Sequence, residues 1–131
     1  MTRLASLVLV VRDLERALAL WEQALGFARV DEPSEVPGLG ARHVYLRAEN
    51  CLLELVQPDD ERSPPGRFLE QRGEGMFAME LSLDDPAAAR EHLAHARVPT
   101  PGAAGRWYVR PADAHGMLVA VAPAGAPDPA S

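Results

Sequence analysis

The chain contains one cysteine, Cys51, and neither lysine nor isoleucine among its 131 residues. A single cysteine excludes an internal disulfide and any zinc site built from several thiolates. Because lysine is absent, the 13 basic residues are all arginines, and 19 acidic residues bring the formal net charge to −6. This net negative charge argues against a protein that binds nucleic acids or anionic membranes, since both partners require a basic surface.

Long apolar runs are also missing. The longest, Leu4–Val11, is far shorter than the ~20 residues that cross a bilayer. Arg12 and Asp13 end this run without a small-residue cleavage site, so we interpret it as a strand and not as a signal peptide. We therefore expect one domain, residues 1–131, of a cytoplasmic protein that binds neither nucleic acid nor membrane.

The first half of the chain has the pattern of a strand, a helix and further strands. After the strand Leu4–Val11, Asp13 stands where a helix N-cap belongs. Apolar residues then recur on one helical face and Gly26 ends the pattern; the residues on this face are Leu14, Leu18, Trp21 and Leu25. The segment 31–41 reads as a loop, and two strands follow at 43–47 and 51–57, joined by a hairpin.

The second half repeats this order. A strand at 76–83 precedes Asp85 and Pro86, which are a favoured N-cap and first helical residue. A loop at 99–105 and strands at 107–110 and 117–122 follow the helix. Shifting the sequence by 72 positions places Asp13 on Asp85. We therefore predict two repeats, about 4–57 and 76–123, joined by a linker at 58–75 that contains a short helix at 67–71.

Each repeat carries its helix on one face of a sheet, which leaves the other face to be covered. Two such sheets can curl into a half-open barrel with the helices outside and a pocket on the concave face. The predicted fold class is therefore α+β, with a mixed or antiparallel sheet.

Three segments resemble one known superfamily. Residues 7–14 (LVLVVRDL), with a helix that ends in LGF, and residues 113–121 (DAHGMLVAV) are similar to the opening and closing segments of vicinal oxygen chelate proteins, the glyoxalase/bleomycin-resistance superfamily. Residues 63–75 (SPPGRFLEQRGEG) most resemble the methylmalonyl-CoA epimerases of that superfamily. The resemblance implies paired βαβββ modules and a homodimer.

The resemblance also implies where a metal ion would bind. Metal-binding members hold a divalent ion with four inward-facing side chains, usually His, Glu or Gln, His and Glu. Their counterparts here are Ser6, Glu54, Ala78 and Ala120. Alanine cannot coordinate an ion, and one carboxylate cannot hold a divalent ion against water. We therefore predict no bound metal and no other cofactor.

Strand alternation predicts which side chains face the pocket. Glu54 lies in the apolar run LLELV, where an unpaired carboxylate is costly to bury; it is a candidate general acid or base, a structural partner of Arg47 or His43, or a metal ligand. His43 corresponds to a carboxylate that removes an α proton in some epimerases, and histidine exchanges protons near neutral pH; alternatively, it is a solvated residue of an edge strand. Glu80 is the third candidate, with an arginine-paired structural role as the alternative.

Other polar residues are expected to bind the substrate. Trp107 and Tyr108 alternate in direction, so only one of them faces the pocket, and we assign Trp107 to substrate binding. Four arginines are candidates for a basic entrance or are ordinary surface residues: Arg67, Arg72, Arg106 and Arg110. The predicted substrate-binding set is Ser6, Tyr45, Arg47, Ser82 and Trp107.

The sequence favours a metal-independent enzyme of the isomerase or lyase type. It would catalyse isomerisation, epimerisation, cyclisation or elimination next to a carbonyl, with a small molecule as its partner. One alternative is a drug- or metabolite-binding resistance protein without catalysis, although the seven aromatic residues are few for such a cleft. Another is a metal-dependent methylmalonyl-CoA epimerase with relocated ligands.

Overall fold

The computed structural model describes residues 2–103 and 105–126. These residues form two compact units, which we call the first unit (residues 7–77) and the second unit (residues 2–6 and 78–126). The strands are β1 (Arg3–Val10), β2 (Ala28–Arg29), β3 (Ser34–Val36), β4 (Ala41–Arg47), β5 (Leu52–Pro58), β6 (Gly75–Ser82), β7 (Gly102–Ala103), β8 (Arg106–Val109) and β9 (Leu118–Val121). The α-helices are α1 (Leu14–Leu18), α2 (Pro64–Arg72) and α3 (Pro86–His95).

In the first unit, the strands follow the order β2–β4–β5–β1, and β3 also pairs with β4. Helix α1 covers one face of β4 and β5. Its residues Leu14 and Leu18 form a buried cluster with alternate strand residues, namely Val44, Leu46, Leu53 and Leu55. Burial of these side chains supplies the main stabilisation of this unit. Because side chains alternate between the two faces of a strand, the residues of β4 and β5 that lie between these cluster members point to the opposite face of the sheet.

The predicted N-cap of helix α1 is present. Asp13 accepts hydrogen bonds from the backbone N–H groups of Glu15 and Arg16, while the Gln57 side-chain oxygen accepts one from Leu14 N–H at 2.9 Å. From Ala19 to Ala24 the helix continues as a π-helix, in which Leu25 N–H donates to the carbonyl of Leu20. This wider turn rotates Leu25 out to 55% exposure. The prediction that Leu25 lies on the apolar face was therefore wrong, because it assumed a uniform period of 3.6.

Two predicted loops contain strands. β3 lies within 31–41 and pairs antiparallel with β4, and β7 lies within 99–105 and pairs with β8. Short edge strands form here because backbone groups of a neighbouring strand are available to them, and amino-acid composition does not reveal such a neighbour.

Helix α2 begins at Pro64 and not at the predicted residue 67, since Ser63 caps it. Cys51 is half-buried.

The second unit has the strand order β6–β9–β8–β7. β6 and β9 are parallel, and β9 and β8 are antiparallel. Helix α3 begins as predicted, with the Asp85 carboxylate accepting from Ala88 N–H at 2.9 Å and Pro86 in the first turn. The α+β class is confirmed, whereas the duplication of 4–57 and 76–123 stays a prediction. Among the described residues, every helix is too short or too polar to span a bilayer.

Candidate functional site

The first unit brings two of the predicted catalytic residues into direct contact. His43 Nδ1 lies 2.7 Å from Glu54 Oε2, a short separation that is typical of a charge-assisted hydrogen bond. The two side chains are 18% and 16% exposed. The pair is therefore mostly removed from water but still reachable.

Strand register explains this contact. β4 and β5 form an antiparallel hairpin in which Tyr45 is opposite Glu54 and His43 is opposite Val56. The histidine and the glutamate are diagonal neighbours on one face of the sheet, a distance that long side chains span. Because Val44 and Leu55 belong to the buried cluster beneath helix α1, alternation places the pair on the face that helix α1 does not cover.

The contact leaves one histidine nitrogen available for chemistry. When Nδ1 carries its proton and donates to the Glu54 carboxylate, Nε2 of a neutral ring has a free lone pair and can accept a proton. The carboxylate then stabilises the imidazolium that forms and fixes the ring orientation. For a structural role, Glu54 was expected to pair with either His43 or Arg47. The geometry favours His43, since Arg47 lies exposed at the end of β4.

Tyr45 borders the pair. Its ring meets the His43 ring edge-on, with centroids 5.3 Å apart. An edge-to-face contact of this kind restricts the orientation of both rings. Of the predicted substrate-binding residues, Tyr45 thus lies against His43, the histidine of the hydrogen-bonded pair.

In the second unit, Glu80 pairs with an arginine. Its carboxylate accepts a hydrogen bond from Nη2 of Arg106, and Arg106 Nε donates to the hydroxyl of Tyr108 at 3.3 Å. Burial lowers the pKa of Arg106, but the hydrogen bonds to Tyr108 and Glu80 and the charge of Glu80 outweigh it and raise that pKa. Glu80 therefore has the contact that its alternative, structural role predicts, namely a pairing with an arginine.

Trp107 and Tyr108 point to opposite faces of β8, as alternation predicts. Trp107 is buried, with the Arg90 guanidinium of helix α3 at 5.9 Å from its ring. Arg90 is held in turn by two hydrogen bonds to Thr100. Tyr108 lies instead beside Glu80 and Arg106. The choice of Trp107 over Tyr108 for substrate binding therefore has no support from their positions on β8.

The remaining predicted binding residues are less informative. Ser6 is buried and Ser82 is half-buried. Sequence reasoning missed the cluster of Glu80, Arg106 and Tyr108. The alternation of side chains along β8 could have revealed this cluster, because it places residues 106 and 108 on the same face of the sheet.

The metal positions implied by the resemblance can be tested for fit. Ser6, Ala78 and Ala120 are buried and supply neither an imidazole nor a carboxylate. Glu54, the remaining position, is hydrogen-bonded to His43. Across the described ranges, no group of three or more His, Cys, Asp or Glu residues is arranged to hold an ion. The donor set does not fit a divalent cation.

Cavities lie elsewhere in both units. In the first unit, a cavity of about 510 Å³ beside helix α1 is lined in part by Arg12, Arg16 and Trp21. In the second unit, a cavity of about 310 Å³ is lined in part by Arg90 and Trp107. Neither lining includes His43, Glu54 or Glu80, so these cavities do not mark the predicted catalytic residues.

Sequence and structure comparisons identify the class of protein. Residues 3–121 match the family model of the Glyoxalase/Bleomycin resistance protein/Dioxygenase superfamily. The chain belongs to this superfamily.

Particular relatives narrow the comparison. The chain is 35% identical over 127 residues to the ethylmalonyl-CoA/methylmalonyl-CoA epimerase of Cereibacter sphaeroides, covering 89% of this chain and 94% of the relative. It is 30% identical to the human mitochondrial methylmalonyl-CoA epimerase, covering 89% and 71%. A crystal structure of methylmalonyl-CoA epimerase from Mycobacterium tuberculosis has the same fold, with a TM-score of 0.78, 24% identity and coverage of 95% and 89%.

Proposed function

We propose that the chain is an epimerase-type isomerase that moves a proton at the carbon next to the thioester carbonyl of a CoA-linked acyl substrate. The observation that carries the proposal is the 2.7 Å contact of His43 Nδ1 with Glu54 Oε2. The substrate class is supported by relatives named as epimerases of methylmalonyl-CoA or ethylmalonyl-CoA.

In this proposal His43 is the catalytic residue. Its Nε2 takes the α proton, and the electron pair of the broken C–H bond forms an enolate. A water molecule then protonates the carbon on its opposite face, and the imidazolium returns its proton to the hydroxide that remains. Glu54 accepts the Nδ1–H hydrogen bond and thereby stabilises the positive ring. Cyclisation and elimination can begin with the same proton abstraction, but the named relatives favour epimerisation.

The proposal includes the absence of a catalytic divalent ion, because the side chains at positions 6, 78 and 120 do not supply ligands. It also includes a homodimer in the cytoplasm. The dimer is supported by the resemblance to the superfamily.

Deuterium uptake tests the proposed proton transfer directly. The purified protein is incubated with methylmalonyl-CoA or ethylmalonyl-CoA in D₂O, and label at the α carbon is followed by mass spectrometry against a protein-free blank. We expect His43→Ala and Glu54→Gln each to slow the protein-dependent exchange by roughly 10²-fold or more. His95→Ala is the matched control, since that side chain is 77% exposed on helix α3.

Two outcomes would contradict the proposal. Near wild-type exchange in both variants, with circular dichroism showing that they are folded, would exclude the pair as the proton-transfer group. Tight binding of the CoA ester without any exchange in the wild-type protein would favour the non-catalytic binding protein instead.

A further inference from the structure

The cavity of about 510 Å³ in the first unit lies on the side of the sheet that helix α1 covers. Its apolar lining includes Leu9, Ala17 and Trp21, and these three side chains also pack against the buried cluster beneath helix α1. Small-molecule sites typically have volumes of about 300–1,000 Å³. Because His43 and Glu54 lie on the opposite face of β4 and β5, this cavity is separate from the pair proposed for proton transfer.

Trp21 is a fixed part of the lining. Its ring meets the Phe27 ring edge-on, with centroids 5.6 Å apart, and its carbonyl accepts a hydrogen bond from Phe27 N–H at 3.0 Å. Trp21 and Leu20 belong to the π-helix, which is a rare conformation that often occurs at functional sites. Leu20 is 51% exposed and also lines the cavity. The wall therefore offers an oriented aromatic ring and an aliphatic side chain to an apolar ligand.

Two arginines border the cavity with their charges unpaired. Within the part of the chain that the structure describes, the guanidinium groups of Arg12 and Arg16 form neither an ion pair nor a hydrogen bond. Arg12 Nη2 lies 3.9 Å from the place that a Cβ atom would take at Gly73, so this glycine leaves room for the guanidinium. Both arginines are exposed, and each carries five N–H donors in a fixed plane. An anion that enters from solvent can therefore reach both groups.

Two carboxylates also line the cavity, but both accept hydrogen bonds from the backbone. Asp13 accepts from the N–H groups of Glu15 and Arg16, and Glu74 Oε2 accepts from Arg12 N–H at 2.8 Å. These backbone donors stabilise the negative charges of the carboxylates, whereas the guanidinium donors remain for a ligand. The available donors thus favour a ligand with an anionic group.

We propose that this cavity is a second binding site, which takes a small organic carboxylate with an aromatic or branched apolar body. The carboxylate accepts hydrogen bonds from Arg12 and Arg16, since the planar guanidinium group matches carboxylate geometry. The apolar body lies against Trp21 and Leu20. An inorganic anion would leave the apolar wall in contact with water, and a neutral apolar molecule would leave the guanidinium donors without an acceptor. The proposal does not depend on the proposed function.

Titration with 2-naphthoate, followed by ¹⁵N–¹H NMR of the full chain, tests the proposal. The chain has two tryptophans, Trp21 and Trp107, whose indole N–H signals report on the cavity and on the second unit. The arginine beside Trp107, Arg90, is already hydrogen-bonded to Thr100. We therefore expect a saturable shift of the Trp21 signal and no shift of the Trp107 signal, with Trp21→Phe used for assignment. The neutral analogue 2-naphthamide should bind roughly tenfold more weakly.

Variants of the arginines identify the anion contacts. Arg12→Gln and Arg16→Gln should each weaken 2-naphthoate binding by roughly tenfold, while the affinity for 2-naphthamide changes by less than about twofold. Arg62→Gln is the matched control, because it removes an exposed arginine that is paired with Asp60. His43→Ala should also leave 2-naphthoate binding unchanged, since His43 lies on the other face of the sheet. The dispersion of amide signals in the same spectra verifies that each variant is folded.

Three results would overturn the proposal. The first is the absence of a saturable shift of the Trp21 signal in the wild-type protein. The second is equal affinity for 2-naphthoate and 2-naphthamide, which would show that the arginines do not bind the anion. The third is a loss of 2-naphthoate affinity in His43→Ala as large as that in Arg12→Gln, which would place the ligand at the proton-transfer pair.

Discussion

The start of helix α2 provides a sharp test of the packing. Gly66 is buried, and a Cβ atom added there would lie 2.1 Å from the carbonyl oxygen of Asp60 and 2.9 Å from the Cα of Glu61. Side-chain Cβ atoms essentially never come closer than 3.0 Å to such neighbours. The Gly66→Ala variant must therefore move the helix away from this segment by roughly 1 Å.

One stabilising and two destabilising effects determine the change in the free energy of unfolding. Alanine is a better helix former than glycine by about 1 kcal/mol. Against this, overpacking costs about 1–3 kcal/mol. The displacement also disrupts the Ser63 cap, in which Oγ accepts from Gly66 N–H at 3.1 Å and donates to the Asp60 carbonyl at 2.6 Å; losing a cap costs about 1 kcal/mol. The net destabilisation expected for Gly66→Ala is about 1–3 kcal/mol.

Urea unfolding followed by circular dichroism measures this change. Ser63→Ala removes the cap without the clash and should cost about 1 kcal/mol. Glu70→Ala, at an exposed position of the same helix, should change stability by less than about 0.5 kcal/mol. A Gly66→Ala protein as stable as the wild type would refute the close approach of the helix to residues 60–61.

Two other predictions concern the metal and the core. Dialysis against a chelator should leave the α-proton exchange rate within about twofold, because the donor set does not fit a divalent ion; a stoichiometric metal by elemental analysis, lost together with activity, would contradict this and favour the metal-dependent epimerase. Leu55→Ala, at a fully buried position among Leu14 and Leu18, should lower the free energy of unfolding by about 2–5 kcal/mol. Leu25→Ala, at the exposed end of the π-helix, should cost less than about 0.5 kcal/mol in the same urea titration; equal losses would show that Leu25 is packed after all.

Elements with strong local signals were predictable from the sequence. Asp13 and Asp85 cap helices where expected because N-cap hydrogen bonds form within three residues of the cap. The long strands were predictable because apolar runs of strand length and their flanking turns are also local features. The short strands β3 and β7 were not, because an edge strand depends on a neighbour whose position composition does not encode.

For the candidate catalytic residues, too, the sequence predicted local features but not contacts between distant residues. Alternation within each strand correctly grouped His43 with Tyr45 and separated Trp107 from Tyr108. It did not decide between His43 and Arg47 as the partner of Glu54, since both lie on the same face of one strand. Nor did it decide which of the two β8 aromatics lies beside Glu80.

The sequence by itself therefore determined the starts of helices α1 and α3, the alternating faces of the strands, the superfamily and the absence of imidazole and carboxylate side chains at positions 6, 78 and 120. Each of these depends on residue type or on spacing within one element. The tertiary structure alone decided that His43 meets Glu54 across 11 positions of the chain and that Arg106 meets Glu80 across 26. Such contacts depend on strand register, and a shift of one residue would turn either side chain to the opposite face.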